Sequence, residues 1–506
     1  MRDGATLHAE LTEVVQTTSG PVAGAFEPGV MAFKGIRYGA PPLGSLRFQP
    51  PRPPDPWTTP FAALELGAPS LQLGYPPGER RPSLGAPREE PAPNEDCLFL
   101  NVWTPAVDGG PRPVMVWLHG GGFANGSGGA RKFDGANLAR RGDVVVVTLN
   151  HRLNAFGYLH LGEVFGETYA RSGVVGMLDI VLALEWVRDN IAAFGGDPDC
   201  VTLFGSSGGG WKTALLMTMP GAHGLFHRAI MQSGPLLSAK TREDATQTAR
   251  RLLQRLGVST AAALSQVSSA HLSRAVAGLQ GDPMKLFSPV VDGDVIPRHP
   301  FEPDAPPLSQ DIPLIIGANK DEHTLFLVKD PRFGAFTWGD VDAHARSLVA
   351  ERGPALVQAL RRAYPHYSAT HIYAAVGTCC GLWGDSVRVA ERKARQARAP
   401  VYMYMIAWET PLFGGRLRSP HAIDAPLVFD NVDRAAGLTG SGPSAKALAD
   451  QMSSAWVAFA RHGDPNTPKT PHWPAYDTDR RSTLIFDVES RVAEDPLGEV
   501  RALLSA

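Results

Sequence analysis

Residues 201–216 read VTLFGSSGGGWKTALL, an apolar run that enters a glycine-rich turn and then a second apolar stretch. The run at 201–204 predicts a buried strand, and the residues that close the stretch predict the start of a helix. Between them, the Gly-x-Ser-x-Gly pattern centred on Ser207 is typical of a serine nucleophile on a sharp strand-to-helix turn. Ser206 is the competing hydroxyl, but only Ser207 has a glycine two residues away on each side.

A second glycine-rich turn, His-Gly-Gly-Gly-Phe at residues 119–123, directly follows the apolar run 114–118. Such a turn offers free backbone N–H groups at the end of a strand. Together with the N–H of Gly208, these groups are suited to holding an oxyanion. A phosphate-binding loop is the rival interpretation, and it is disfavoured because no Gly-Lys-Ser or Gly-Lys-Thr follows. We interpret His119 as a turn residue and not as a base.

Alternation of apolar strands and amphipathic helices predicts a mostly parallel sheet that is covered by helices on both faces. We predict one domain over residues 1–506. Two helical segments, 236–280 and 335–398, fall between strands that the sheet requires, so we expect them to cap the site. Pro- and Gly-rich residues 75–95 and 281–312 predict surface loops. The predicted strands are 114–118, 144–149, 201–204, 313–317 and 401–406, and the clearest helices are 178–194 and 445–461.

Composition excludes several classes of protein. The 506 residues carry a net charge of -2 and form no basic stripe, so nucleic acid is not an expected partner. The apolar runs have the length of strands, which argues against a membrane span. The 4 cysteines include no CxxC pair, so we expect mostly free thiols and no metal centre. With no leader visible, we expect a cytoplasmic protein, although a secreted or periplasmic location stays open.

Several longer motifs make the chain resemble the type-B carboxylesterases, which include bacterial p-nitrobenzyl esterases and cholinesterases. These motifs are residues 33–42, 95–103, 194–209 and 226–234, and the C-terminal positions Trp456, Phe459, 463–466 and 473–474. The resemblance covers nearly the whole chain, and it implies an α/β-hydrolase fold. It also implies two structural ion pairs, Arg47 with Glu95 and Arg152 with Asp179.

The resemblance assigns a catalytic triad of Ser207, Glu322 and His421. The order Ser, acid, His is also the one that the fold dictates. Asp321, beside Glu322, is an alternative acid, and we expect it to fasten a loop instead. The same resemblance assigns three backbone donors to the oxyanion hole: Gly121, Gly122 and Gly208.

The sequence departs from the family pattern beside the nucleophile. Ser206 stands where the family usually has Glu, which removes a negative charge and weakens the case for a cationic substrate. Trp211 is bulkier than expected, and with Phe123 it is a candidate for contacting substrate, although core packing explains Trp211 at least as well. Cys97 often forms a disulfide in the family, but Ser70 occupies the region of its partner, so we expect no such bond.

The expected function is hydrolysis of a small carboxylic ester through an acyl-enzyme, without metal or organic cofactor, by a monomer or small homo-oligomer. A non-catalytic binding or adhesion protein of the same fold is the main alternative, and the presence of all three triad residues disfavours it. Amide, carbamate or polyester hydrolysis with the same residues also stays open, because pocket-forming loops decide specificity.

Overall fold

The structure is a computed structural model that describes residues 10–72 and 90–505. Its centre is an 11-stranded sheet with the order β14-β13-β12-β11-β10-β9-β7-β8-β6-β4-β3, and β1-β2-β5 form a second, 3-stranded sheet. The strands are β1 Val15–Gln16, β2 Pro21–Ala23, β3 Ala25–Glu27, β4 Val30–Arg37, β5 Phe61–Ala62, β6 Phe99–Thr104, β7 Arg112–Leu118, β8 Val145–Leu149, β9 Gly196–Ser206, β10 Arg228–Gln232, β11 Leu314–Asn319, β12 Val401–Ile406, β13 Ser482–Phe486 and β14 Arg491–Glu494.

The middle of the large sheet is parallel. Strands β8, β7, β9, β10, β11, β12 and β13 pair in parallel with their neighbours, whereas the pairs at both edges are antiparallel. Because parallel strands end at the same edge, the loops after β7, β9, β11 and β12 emerge side by side. The predicted site residues lie on these loops.

Helices cover both faces of the sheet. The longest, α16, has Pro443 in its first turn and is followed directly by Gly463, which adopts a left-handed φ of +74°. This is the expected placement of the two residue types. The helices are α1 Ala136–Gly142, α2 Asn154–Tyr158, α3 Gly162–Phe165, α4 Val175–Asn190, α5 Gly208–Leu216, α6 Arg242–Leu256, α7 Ala261–Ser265, α8 Ser269–Ala277, α9 Thr324–Leu327, α10 Trp338–Val349, α11 Gly353–Ala363, α12 Ala369–Thr378, α13 Gly384–Ala394, α14 Asp424–Val428, α15 Ala436–Thr439, α16 Pro443–His462 and α17 Gly498–Ser505.

Two hydrophobic cores lie on opposite faces of the sheet, and alternate residues of each strand enter one or the other. In β7, Val114, Val116 and Leu118 belong to the larger core, whereas Met115 and Trp117 belong to the smaller one. A strand buried on both faces is continuously apolar, which is why the sequence marks these strands so clearly.

The predicted sheet and its strands are confirmed. The strand predicted at 401–406 has the observed bounds of β12, and those predicted at 114–118, 144–149, 201–204 and 313–317 lie within or shift by one residue from β7, β8, β9 and β11. The helix predicted at 178–194 is α4 followed by a 3₁₀ turn, Ile191–Phe194.

Both segments expected to cap the site are helical. Residues 236–280 form α6, α7 and α8, and residues 335–398 form α10 to α13, with a π-helical turn at Cys379–Trp383. The second segment reaches the predicted acid loop, because the Tyr367 hydroxyl donates to Asp321 Oδ1 at 2.8 Å and Thr378 Oγ1 accepts from His323 N at 3.3 Å.

The remaining sequence expectations meet the structure as follows. Residues 281–306 form no helix or strand, whereas much of the loop predicted at 75–95 lies outside the described residues. Both expected ion pairs form. All 4 cysteines, Cys97, Cys200, Cys379 and Cys380, are free thiols. No helix in the described ranges is long and apolar enough to cross a bilayer.

Candidate active site

Ser207 occupies a sharp turn between β9 and α5. Its φ of +58° and ψ of -121° are unusual for a residue with a side chain. The turn is held because Ser207 N donates to Gln232 O at 2.8 Å and Ser207 O accepts from Trp211 N at 3.2 Å. The residue is half-buried, and no described group is hydrogen-bonded to its hydroxyl.

Close packing explains the glycine that follows the turn. A Cβ on Gly209 would stand 1.9 Å from the Leu118 carbonyl oxygen at the end of β7. The first turn of α5 therefore lies directly against the strand that carries the second glycine-rich loop. This contact brings the two glycine motifs of the sequence together.

Ser206 has a different role from Ser207. It is buried, and its hydroxyl donates to Asp424 Oδ1 at 3.2 Å. The other Asp424 oxygen accepts from Gln232 Nε2 at 2.8 Å, and Gln232 Oε1 accepts from Trp456 Nε1 at 3.1 Å. The hydroxyl of Ser206 is therefore part of a buried hydrogen-bond network with Asp424, Gln232 and Trp456.

Glu322 and His421 form a buried pair. Nδ1 of His421 lies 2.5 Å from Glu322 Oε2, and Asn319 N donates to Glu322 Oε1 at 2.6 Å. Asp321 faces other partners: its oxygens accept from Tyr367 Oη and, at 3.2 Å, from Ser419 N. Of the two neighbouring carboxylates, the structure brings Glu322 to the imidazole, while Asp321 joins the acid and histidine loops.

Burial and nearby charges shift the pKa values of these groups. Burial alone lowers the pKa of His421, but the Glu322 carboxylate and, less strongly, Asp424 outweigh it, so the pKa lies above its ordinary value of 6.5. Burial raises the pKa of Asp321 to about 6, against the opposing effect of Lys320. Burial also raises the pKa of Asp424.

Three backbone N–H groups near Ser207 have no acceptor among the described residues: those of Gly121, Gly122 and Gly208. In a trans peptide the N–H points opposite to the preceding carbonyl. The carbonyl of Gly120 lies 2.9 Å from His119 Nδ1, and that of Gly121 accepts from Asn125 N at 3.0 Å. The N–H groups of Gly121 and Gly122 are consequently turned away from these contacts.

The two glycine motifs touch at Gly208. A Cβ there would lie 2.5 Å from Gly122 N and 2.4 Å from Gly122 O. A Cβ on Gly120 would in turn lie 3.4 Å from Ser207 Cβ. The three unpartnered N–H groups thus belong to neighbouring stretches of backbone that pack around the serine turn.

His421 and Ser207 are not hydrogen-bonded to each other. Nε2 of His421 has no hydrogen-bond partner among residues 10–72 and 90–505. The imidazole packs against Phe326, with ring centroids 4.9 Å apart, and Phe326 is 57% exposed. One side of the histidine is therefore covered by a ring that is itself open to solvent.

The two residues expected to contact substrate differ in accessibility. Phe123 is buried, with its ring 5.3 Å from that of Tyr158. Trp211 is half-buried, with its ring centroid 5.7 Å from that of Phe123 and Lys285 Nζ 5.1 Å from its own centroid. Trp211, on α5, therefore has part of its ring accessible to a ligand, while the buried ring of Phe123 packs against the other part.

Several residues at the site were not singled out by the sequence. Asp424 lies three residues after His421, and Lys212 lies within residues 201–216. Each is a polar residue among apolar neighbours, and this is the sequence signal that could have identified it. Met284, whose carbonyl accepts from Phe123 N at 3.1 Å, comes from a distant loop that carries no local signal. The described residues contain no cluster of three metal-ligating side chains.

A mostly parallel sheet with a serine turn at the carboxyl edge, followed along the chain by an acid and a histidine, defines an α/β hydrolase. The sequence model of the carboxylesterase family matches residues 11–500. The chain therefore belongs to the carboxylesterase family, and it is a carboxylic ester hydrolase.

Individual relatives agree with this assignment. The chain is 37% identical over 507 residues to the para-nitrobenzyl esterase of Bacillus subtilis (strain 168), covering 97% of this chain and 98% of that protein. It is 35% identical to the phenmedipham hydrolase of Pseudarthrobacter oxydans, covering 95% and 97% respectively. A crystal structure of a Geobacillus stearothermophilus carboxylesterase superimposes with a TM-score of 0.84 at 38% identity, covering 97% of this chain and 100% of that one.

Proposed function

We propose that the protein hydrolyses carboxylic esters through a covalent acyl-enzyme, with Ser207 as nucleophile, His421 as general base and acid, and Glu322 as the residue that orients His421. The observation that carries this proposal is the buried hydrogen bond of 2.5 Å between His421 Nδ1 and Glu322 Oε2, while Nε2 has no hydrogen-bond partner in the part of the chain that the structure describes. A base oriented in this way is what a serine nucleophile requires.

In the first half-reaction, Ser207 Oγ attacks the ester carbonyl carbon while its proton passes to His421 Nε2. The carbonyl oxygen becomes an oxyanion, which the N–H groups of Gly121, Gly122 and Gly208 would stabilise. When the tetrahedral intermediate collapses, the C–O bond to the alcohol breaks, and the proton on Nε2 goes to the leaving oxygen.

The second half-reaction regenerates the enzyme. A water molecule attacks the acyl carbon and gives a proton to Nε2, a second oxyanion forms in the same place, and its collapse returns the proton to Ser207 Oγ and releases the acid. Throughout both steps Glu322 accepts a hydrogen bond from the Nδ1–H group of His421, which fixes the imidazole tautomer and stabilises the imidazolium. No bond change in either step requires a metal or an organic cofactor.

The missing hydrogen bond between Ser207 and His421 is compatible with this chemistry. In free enzymes such catalytic contacts are often long, and they tighten when substrate binds. Phe326 covers one side of the imidazole and is exposed, so it is placed to contact an incoming ester. We further propose that Trp211, backed by Phe123, contacts the acyl group, and that the segments 236–280 and 335–398 form the cap.

Substitution of Ser207 tests the nucleophile. Ser207→Ala is expected to lower kcat for p-nitrophenyl butyrate by more than about 10⁴-fold, with an unchanged unfolding transition. Ser206→Ala is the matched control on the neighbouring residue, since it removes only the hydroxyl that donates to Asp424, and it should retain most of the activity.

Covalent labelling gives a second readout. An organophosphate should add one group to the protein, located on Ser207 by peptide mass spectrometry. Near-normal turnover by Ser207→Ala, or an adduct on Ser206, would contradict the assignment. A panel of a short ester, a long ester, an anilide, a carbamate and an aromatic polyester would then separate ester hydrolysis from the related activities.

A further inference from the structure

Lys212 is a buried cation next to the candidate oxyanion hole. It lies on α5, its exposed fraction is 0%, and no described carboxylate pairs with it. Burial lowers the pKa of its ammonium group to about 7. Because a buried ammonium without a counter-ion is unfavourable, its hydrogen bonds must account for its presence in the core.

Those hydrogen bonds go to the second glycine-rich loop. Nζ donates to His119 O at 3.0 Å and to Gly122 O at 2.9 Å. The first carbonyl belongs to the peptide that precedes Gly120, and the second belongs to the peptide that follows Gly122. The two peptides that carry the N–H groups of Gly121 and Gly122 lie between them, so one side chain holds both ends of the donor segment.

No other described donor reaches these two carbonyl oxygens. Other backbone groups of the loop are hydrogen-bonded elsewhere: Phe123 N donates to Met284 O at 3.1 Å, and Asn125 N donates to Gly121 O at 3.0 Å. Removing Lys212 would therefore leave two carbonyl groups without a partner in a buried site, where the backbone would have to move or admit water.

We propose that Lys212 is a positioning residue, which orients the N–H groups of Gly121 and Gly122 towards the oxyanion by holding the carbonyls of His119 and Gly122. This inference rests on the proposed function. The arrangement works with a charged or a neutral amine, because an NH₂ group still has two hydrogens, one for each carbonyl.

The experiment compares two inhibitors of the wild-type enzyme and of Lys212→Met. Ser207 Oγ adds to the carbonyl carbon of a trifluoromethyl ketone, the hydroxyl proton passes to His421 Nε2, and the carbonyl oxygen becomes an oxyanion. The affinity for this ketone therefore reports on the oxyanion donors. The matching methyl ketone occupies the same pocket with little addition and reports on ordinary binding. Lys212→Met should lose about 10²-fold in kcat/KM and in affinity for the trifluoromethyl ketone, since small displacements of catalytic groups have effects of that size.

A merely structural role predicts a different pattern. In that case Lys212→Met would unfold more easily but keep the wild-type affinity for the trifluoromethyl ketone, or it would lose affinity equally for both ketones. Either result would overturn the inference. Lys212→Gln, whose amide can serve one carbonyl, should give an intermediate loss, and it keeps the test informative if Lys212→Met does not fold.

Lys393 supplies a matched control. It is a second fully buried lysine, and its Nζ donates to Gln310 O at 3.0 Å. Gln310 lies just before β11, at the end of the sheet where the parallel strands begin and away from the serine turn. Lys393→Met should lower stability without changing the ratio of the two ketone affinities. If wild-type enzyme itself does not bind the trifluoromethyl ketone covalently, the proposed function fails; if wild type and Lys212→Met both bind it equally well, only the inference about Lys212 fails.

Discussion

Two adjacent carboxylates show how position within a loop separates roles. Glu322 faces the imidazole of His421, and Asp321 faces the backbone of Ser419 and the hydroxyl of Tyr367. Sequence alone leaves both as candidates for the triad acid, because either type of side chain orients a histidine. Their hydrogen bonds distinguish them.

This difference predicts the effects of paired substitutions. Glu322→Gln should lower kcat on the order of 10⁴-fold, because an amide cannot stabilise the imidazolium or hold the required tautomer. Asp321→Asn should lower kcat by less than about 10-fold, since it leaves the hydrogen bond to Nδ1 in place. Steady-state kinetics on p-nitrophenyl butyrate checks both, and a greater loss in Asp321→Asn than in Glu322→Gln would assign the acid to Asp321.

The pKa of His421 predicts the acid side of the pH profile. The base acts only when neutral, and its pKa is raised above 6.5, so kcat/KM should fall with decreasing pH and reach half its plateau above pH 6.5. Asp424→Asn removes one of the charges that raise this pKa, and the midpoint should then move to lower pH.

Asp321 provides the control for the pH profile, since its own pKa of about 6 lies in a nearby range. If His421 is the titrating group, Asp321→Asn should keep the wild-type midpoint. A midpoint that shifts in Asp321→Asn but not in Asp424→Asn would mean that the profile reports on the acid loop.

At the scale of elements, the first turn of α5 and the loop after β7 act as one unit. Gly208 approaches the backbone of Gly122 so closely that a Cβ would lie 2.5 Å from its nitrogen. The contact between the two loops therefore depends on the absence of a side chain at Gly208.

Gly208→Ala is therefore expected to impair this enzyme. The added methyl group must displace Gly122, and the loss of one oxyanion donor typically costs about 10²–10³ in kcat. Kinetics of Gly208→Ala should be compared with Gly221→Ala, where no atom lies within 4 Å of the added Cβ. Equal activity of these two variants would contradict the described contact between the loops.

Sequence predicts these elements well where one local property decides them. Strand β12 was predicted with its observed bounds because residues 401–406 are apolar and buried on both faces. Strand β9 begins earlier than predicted, at Gly196, which pairs with Arg112 of β7. The polar residues 197–200 that follow Gly196 carry no apolar signal for a strand.

The residues of the site likewise divide into those that a local sequence motif predicts and those that only long-range contacts place. Ser207 lies in a motif that one segment encodes, and Glu322 and His421 were found through chain order and resemblance. The contacts of Lys212 and Met284 with the second glycine-rich loop are not predictable from local sequence. Lys212 is 90 positions from Gly122, and Met284 is 159 positions from Asn125. Such contacts depend on how the whole sheet is assembled.

At the scale of the whole molecule, buried ion pairs connect distant segments. Arg152, after β8, forms hydrogen bonds with both oxygens of Asp179 on α4, and its Nη1 donates to Gln49 O at 2.8 Å. The Arg47–Glu95 pair is connected in the same way to Val267 O, at 2.6 Å. These guanidinium groups join the N-terminal region to α4 and to the turn between α7 and α8.

Asp179→Asn should lower the free energy of unfolding by about 3–5 kcal/mol, because it leaves Arg152 buried without its counter-ion. Asp189→Asn on the same helix is the control: its pair with Arg188 is solvent-exposed, with side-chain exposures of 52% and 43%, and should contribute less than about 1 kcal/mol. Urea unfolding followed by tryptophan fluorescence measures both. A similar small effect of the two substitutions would show that the buried pair contributes little.

The left-handed backbone of Ser207 lowers the stability of the fold but is required for catalysis in the proposed mechanism. A conformation with φ of +58° suits glycine better than any residue with a side chain, and holding serine in it costs on the order of 1–3 kcal/mol. Selection for thermal stability alone would thus favour glycine at position 207, and this substitution would abolish activity because it removes the nucleophile. Directed evolution of a hardier variant should consequently screen for activity in every round and seek its gains elsewhere in the chain.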